Sequence, residues 1–204
     1  MRKKKGVARL ARNTRGDIVS PHPIPCTPRR ASLIFKSRWG WMGLAEAANG
    51  IARIVLPKAS KQIVVSELRA GTQGLRQAAY SSRLRAARKQ LTEYLAGTRT
   101  SFNLPLDLSQ GTDFQRQVWK ALQTVPFGQL RSYQALAARV RGKQYARAVG
   151  NAVGANPLPI VIPCHRIVTQ NSSLGGFSGG LPTKQRLLAL EGSLSQLRGV
   201  GKLS

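Results

Sequence analysis

Between Ser109 and Ala155 the chain is cut into three short helical segments, and the cuts fall where a helix cannot continue. Thr112 is placed to cap a first helix that carries Phe114, Val118, Trp119 and Leu122 at helical spacing and ends before Pro126. Pro126-Phe127-Gly128-Gln129 is a turn, and Ser132 caps a second, short helix from Tyr133 to Val140. Gly142 breaks that helix, and a third runs from about Gln144 to Ala155. Helix, turn, helix with basic residues on the last is a helix-turn-helix pattern, although three packed helices also occur without nucleic acid. The third helix is built of small residues, Ala146, Ala148, Gly150, Ala152 and Gly154, with Arg147 beside them. A glycine in a helix interior costs up to ~1 kcal/mol relative to alanine. Close approach of the backbone to something bulky would offset that, either a nucleic-acid duplex or a neighbouring helix.

Downstream lies Ile162-Pro163-Cys164-His165-Arg166. The run Leu158 to Ile162 is apolar and β-branched, which predicts a strand with the cysteine at its end. A glycine-rich loop follows, Leu174-Gly175-Gly176-Phe177-Ser178-Gly179-Gly180. Cysteine is a nucleophile as thiolate, and a free thiol titrates near ~8.5, so it needs a base or a positive environment. The adjacent histidine supplies one if the fold brings its ring to the sulfur. Against that stands the ordinary use of a lone cysteine as a small buried hydrophobe.

At 204 residues the chain has room for one large domain or two small ones, and 42% apolar residues suffice for a core. The net charge of +26 favours polyanions, nucleic acid first and an acidic membrane surface second. Residues 1–36 read as a basic, disordered extension: Arg2, Lys3, Lys4, Lys5, Arg9, Arg12 and Arg15 crowd its start, and the proline-rich stretch from His22 to Pro28 cannot continue a helix. It lacks the apolar segment of a secretory signal; a transit peptide, a nucleic-acid-touching arm and a plain tail all fit it. Two cysteines and two histidines without paired spacing do not make a zinc site, and Cys26 with Cys164 is no disulfide framework. No apolar run reaches the ~20 residues of a membrane span.

Residues 37–108 read as a small α/β domain: strands Gly40–Ala45 and Ile51–Leu56 in a hairpin around Asn49-Gly50, a helix from Arg83 to Ala96 with Leu84, Ala87, Leu91, Tyr94 and Leu95 at helical spacing, and one more strand from Phe102 to Leu108. Residues 109–194 form the helical domain, and 195–204 a tail.

Taken together, Pro163-Cys164-His165-Arg166-Ile167-Val168, Phe177-Ser178-Gly179-Gly180 and Leu190-Glu191-Gly192 resemble the active-site signature of the O6-alkylguanine-DNA alkyltransferases, the methylated-DNA–protein-cysteine methyltransferases. The likeness extends upstream through Thr112-Asp113-Phe114-Gln115, Val118-Trp119, Ser132-Tyr133, Arg147-Ala148-Val149-Gly150 and Ala155-Asn156-Pro157. It is strong from Ser109 to about Ser193 and weaker over Gly40 to Leu108, which is similar to the smaller N-terminal domain of the bacterial members. The resemblance implies an α/β N-terminal domain followed by a mostly helical, winged helix-turn-helix-like alkyltransferase domain.

It also implies a reaction. The Cys164 thiolate would take the alkyl group from O6 of guanine in one displacement, with soft sulfur suited to an sp3 carbon. His165 would accept the thiol proton, in the family through a bound water, and Glu191 would orient the imidazole. The thioether would not be hydrolysed, so each molecule would act once, without cofactor or metal. Tyr133 would contact the flipped base, with Ser178, Ile167 and the backbone near Cys164 reading its edge, and Asn156 would brace the turn that presents the cysteine. Pro163 restricts the residue before it. Arg147 would fill the space the base leaves, while Ala146, Ala148 and Gly150 let the third helix enter the minor groove of double-stranded DNA, largely independently of sequence.

Phe177 stands where the family often has tyrosine, and Thr169-Gln170-Asn171-Ser172 is an unusual start to the loop. The zinc-binding residues of some eukaryotic members are missing. The expected partner is duplex DNA carrying O6-alkylguanine, with O4-alkylthymine an open second lesion; the expected state is a monomer. The expected place is the bacterial cytoplasm or, in a eukaryote, the nucleus or an organelle. Two other functions compete: a lesion-binding protein that recruits excision repair without transfer, and a cysteine hydrolase on the Cys-His pair.

Overall fold

The turn at Asn49 and Gly50 organises the first domain of the computed structural model, which describes residues 31–71, 76–77 and 81–197. Gly50 is at φ +154°, and a Cβ there would lie 2.2 Å from the Pro105 carbonyl oxygen, so only glycine fits. The expected hairpin forms: β2 (Gly40–Ala47) and β3 (Gly50–Lys58) are antiparallel, with Ala47 opposite Gly50. β1 (Ala31–Ser37) pairs antiparallel to β2, and a short β4 (Arg76–Gln77) lies parallel to β1, giving the order β3-β2-β1-β4. Residues 31–36, expected in the extension, belong instead to β1: Leu33 and Phe35 are apolar, alternate, and are buried in the core. The remaining basic arm and Cys26 lie outside the described residues.

α1 (Lys61–Ala70), capped by Ser60, escaped the sequence reading; it buries only Val64 and Leu68, against Ala45 and Val55. α2 (Ser82–Leu95) buries the five residues expected of it, Leu84, Ala87, Leu91, Tyr94 and Leu95. The strand expected over 102–108 does not form. Pro105 has no N–H, and pairing is confined to a bridge in which Ile51 N–H donates to Pro105 O and Asp107 N–H to Ile51 O.

The second domain is helical, as expected. α3 (Asp113–Gln123) opens on a capping box between Thr112 and Gln115. A two-residue strand, β5 (Arg131–Ser132), leads into α4 (Tyr133–Val140), capped by Ser132. After Gly142, a 3₁₀ turn (Lys143–Tyr145) runs into α5 (Ala146–Gly154). β6 (Ile167–Val168) pairs parallel to β5, and α6 (Leu181–Leu190) closes the domain. Trp119 donates its indole N–H to Ala152 O at 2.8 Å and so ties α3 to α5. Leu197 is buried with Val168 and Leu188, which carries the domain past the expected end at 194.

A further difference concerns the run before the cysteine. Residues 158–162 are a tight turn, closed by Ile162 N–H to Leu158 O at 2.8 Å, with Ile160 at φ 76°. Pro157, Pro159 and Pro163 deny the run the donors a strand needs, while its burial satisfies the apolar pattern. A β-branched residue at positive φ is strained, and the packing of Leu158, Ile160 and Ile162 in the core holds it there. The core is continuous from Leu33 in β1 to Leu187 in α6 and spans both domains. No described helix is long and apolar enough to cross a membrane.

Candidate active site

Cys164, His165 and Arg166 form a single 3₁₀ turn between the strained 158–162 turn and β6, all three buried. Asn156, just past α5, holds this turn with one amide. Its Nδ2 donates to Ile162 O at 2.8 Å and to the Cys164 Sγ at 3.1 Å, and its Oδ1 accepts from Leu158 N–H at 3.0 Å. These bonds tie the turn before the cysteine, and the sulfur itself, to the end of α5. Burial pushes the thiol pKa up, against the Asn156 hydrogen bond and the nearby Lys184 charge, so Cys164 rests as a thiol and needs a base.

Beside the cysteine, His165 is fully buried, and its Nε2 lies 2.9 Å from Glu191 Oε1. Burial lowers the imidazole pKa more than the Glu191 carboxylate raises it, so the ring is neutral near pH 7. With Nε2–H directed at the carboxylate, Nδ1 carries the lone pair, and Nδ1 has no hydrogen-bond partner among the described residues. Glu191 sits at the C-terminus of α6, an unfavourable place for an anion. Donors compensate: Arg166 Nε at 2.9 Å to Oε2, Arg166 Nη2 at 2.8 Å to Oε1, Gly128 N–H at 3.2 Å, and the Tyr94 hydroxyl at 2.6 Å. Burial alone would raise the carboxyl pKa; the bonds and charges of His165 and Arg166 outweigh it and pull it down to about 2. Of the predicted catalytic residues, His165 and Glu191 are thus in direct contact, and Cys164 lies on the same turn as His165.

Tyr133, at the start of α4, lies between α5 and the glycine-rich loop. Its hydroxyl is 3.4 Å from Gly176 O, and a Cβ on Gly150 would lie 3.8 Å from its ring. Burial, and then the Cys164 charge, raises its pKa and keeps it a donor. Gly175 is at φ +63°, and a Cβ there would come within 3.2 Å of the Tyr133 ring. Ser178 is exposed on the same loop, and Ile167 is buried. The Ile167 carbonyl accepts from Lys184 Nζ at 2.6 Å, which leaves one lone pair for a base edge.

α5 turns Val149, Ala152 and Val153 into the core. Arg147 and Ala148 are exposed, Ala146 and Gly150 partly so, and a Cβ on Gly154 would touch nothing within 4 Å. Its small residues divide between the two readings: Ala152 and, in part, Ala146 pack against the core, while Ala148 is exposed and Gly154 faces open space.

Tyr94, Arg166 and Lys184 escaped the sequence reading as site residues. Lys184 is wholly buried, with Nζ donating to the carbonyls of Ile167, Leu174 and, at 3.4 Å, Gly176, so it pins the loop to β6. Burial lowers its pKa to about 8, with the Cys164 charge acting the other way. A signal existed: Lys184 shares one helical stripe with Leu187, Leu188 and Glu191. Nothing in the sequence separates Tyr94 from an ordinary core aromatic.

Among the described residues, an N-terminal sheet with helices and a helical C-terminal domain carry a buried cysteine, a histidine–carboxylate pair and an exposed, arginine-bearing helix. The 6-O-methylguanine DNA methyltransferase, DNA-binding domain family matches residues 113–193. A methylated-DNA–protein-cysteine methyltransferase of Methanosarcina acetivorans is 36% identical over 160 residues, 78% of this chain and 97% of its own length. The Mycolicibacterium paratuberculosis protein of the same name is 52% identical over 103 residues, half of this chain and 62% of the relative, so that match spans less than two thirds of the relative's length. The Mycobacterium tuberculosis OGT crystallised in complex with DNA superposes with a TM-score of 0.67 at 34% identity, covering 80% of this chain and 94% of that one. The chain belongs to the methylated-DNA–protein-cysteine methyltransferase family.

Proposed function

We propose that the protein repairs DNA by direct reversal, moving an alkyl group from O6 of guanine to Cys164 in a single, irreversible turnover. The observation that carries this reading is the pairing of Glu191 with His165 Nε2, which leaves Nδ1, on the residue next to the buried Cys164, with its lone pair and no partner among the described residues. The thiol proton passes to Nδ1, directly or through one water; sulfur attacks the alkyl carbon; the C–O bond breaks as the S–C bond forms. Glu191, held ionised, stabilises the imidazolium that results. Charge then develops on the departing guanine oxygen, where the Tyr133 hydroxyl donates a hydrogen bond. The thioether has no leaving group these residues could displace, so the cycle stops there.

A stacked base cannot reach a thiol this deeply buried, so the lesion must be turned out of the duplex at a cost of a few kcal/mol. The open face of α5 supports entry into a minor groove, with Arg147 in the vacated space and Ala146, Ala148 and Gly150 permitting close approach. Asn156 braces the thiol, while Ser178 and the Ile167 carbonyl read the base edge. Binding is then largely independent of sequence, by one protein molecule per lesion, in whichever compartment holds the DNA.

Intact mass after incubation with O6-methylguanine DNA tests this. The expected gain is one methyl group, mapped to Cys164 and lost in Cys164→Ala. Tight lesion binding with no gain in wild type would instead establish a recruiting role.

A further inference from the structure

We infer that Tyr94, contributed by the N-terminal domain, is a positioning residue of the transfer reaction, its hydroxyl fixing the Glu191 oxygen that orients His165. This rests on the alkyltransferase reading above. Tyr94 lies on α2, some seventy positions before the cysteine, yet its side chain is fully buried at the seam of the two domains. The hydroxyl donates to Glu191 Oε1 at 2.6 Å and lies 3.4 Å from His165 Nε2. Oε1 is the very oxygen that faces the imidazole.

The ring is aimed by aromatic packing from both sides. Phe102 lies at 5.4 Å between centroids, from the inter-domain segment, and Phe127 at 6.2 Å and nearly edge-on, from the turn before α4. A core aromatic placed only for packing would not need its polar end on a buried carboxylate that His165 and Arg166 also bind. Here the hydroxyl completes the shell of Oε1. One oxygen accepts from Tyr94, His165 and Arg166, so the carboxylate cannot rotate without losing a bond.

The consequence for His165 has a definite sign. The titratable and charged groups around the ring are Glu191, Arg166, Tyr94, Cys164 and Lys184. Glu191 favours the imidazolium; Arg166 and Lys184 oppose it. By donating to Oε1, Tyr94 draws density from the carboxylate and weakens its pull on the imidazolium. Without that bond Glu191 holds the His165 proton more tightly, and the imidazole is neutral, and able to take the thiol proton, only at higher pH. The N-terminal domain thereby helps set the pH range of a reaction whose other groups all lie in the C-terminal domain.

The test is the single-turnover rate of methyl transfer against pH for full-length wild type, Tyr94→Phe and Phe102→Leu. Tyr94→Phe is expected to slow transfer about tenfold and to move the acidic limb up by about one pH unit. Phe102→Leu disturbs the packing of the same ring but keeps the hydroxyl, so it should lower thermal stability with the limb unmoved. An unshifted limb in Tyr94→Phe, or an equal shift in Phe102→Leu, overturns the proposal. Should Tyr94→Phe not fold, the wild type decides by proton NMR: a downfield, slowly exchanging Tyr94 hydroxyl resonance supports the role, and a freely exchanging one refutes it. If wild type transfers no methyl group at any pH, the alkyltransferase reading has failed, not this one.

Discussion

Asn156 does with one side chain what the strand expected before Cys164 would have done with a ladder. Its three hydrogen bonds fix Leu158, Ile162 and the sulfur relative to one another. Asn156→Ala leaves the buried Leu158 N–H unpaired, at about 1–3 kcal/mol, while Ile162 O keeps the Cys164 N–H, and it also removes a donor that favours the thiolate. It should lower the urea midpoint and slow transfer together. Asn156→Asp sets a carboxylate oxygen against both Ile162 O and Sγ in place of the amide donor, which raises the thiol pKa, so transfer should slow further than in Asn156→Ala. The titrations beside it carry a sign as well. Glu191 is held at about 2 against a usual 4.5, so its contribution is present above 4.5 and lost as pH falls toward 2. His165 is buried neutral with its pKa below 6.5; charging it favours the unfolded chain, and stability falls as pH drops below about 6.5. The urea midpoint should therefore decline from near pH 6.5 and again below 4.5, and Glu191→Gln should abolish the lower decline.

Among the elements, α5 separates packing from function most cleanly. Gly150→Ala adds a Cβ at ordinary contact distance from Tyr133, in a helix that gains up to ~1 kcal/mol from alanine. Thermal stability should hold or rise, while affinity for duplex DNA falls if this face enters a narrow groove. If DNA binding is unchanged, the minor-groove reading fails while the fold stands. Gly175→Ala has the opposite profile. It meets both a left-handed backbone and the Tyr133 ring, so it should be destabilising and displace the loop. Elements with a strong period or a capping residue were legible: α2 through its five buried positions, α3 and α4 through Thr112 and Ser132. α1 was not, because two buried residues make too weak a stripe. The 158–162 turn differs from the expected strand because a continuous apolar, β-branched run is common to a buried strand and a buried turn, and only the prolines distinguish them. The site divides the same way. Cys164, His165 and Glu191 were legible from motifs, whereas Tyr94 joins them only through domain packing that sequence spacing cannot reveal.

At the scale of the whole molecule, the boundary between charge and fold matters most. The sheet starts at Ala31, and β1 lies between β2 and β4, so its removal exposes both neighbours. Leu33 and Phe35 are buried in the core that both domains share, and Arg88 of α2 lies 5.8 Å over the Phe35 ring. A truncation that removes residues 1–36 therefore takes out the middle of the first domain, and with it the packing that carries Tyr94 to Glu191. One that removes residues 1–30 takes only sequence upstream of the sheet, including Arg2, Lys3, Lys4, Lys5, Arg9, Arg12 and Arg15. Each phosphate neutralised adds about 0.9 to the slope of log affinity against log salt. The shorter deletion should keep the wild-type melting transition and the methyl gain on Cys164. It should weaken DNA binding at low salt and flatten the salt dependence by roughly one unit for each basic residue that had met a phosphate. The longer deletion should lose the melting transition and the methyl gain together. Circular dichroism melting, intact mass and a salt titration of both truncations check this. A folded, active protein without β1 would show that the C-terminal domain holds the site unaided, while an unchanged salt slope after the shorter deletion would mean that the arm makes no contact with the duplex.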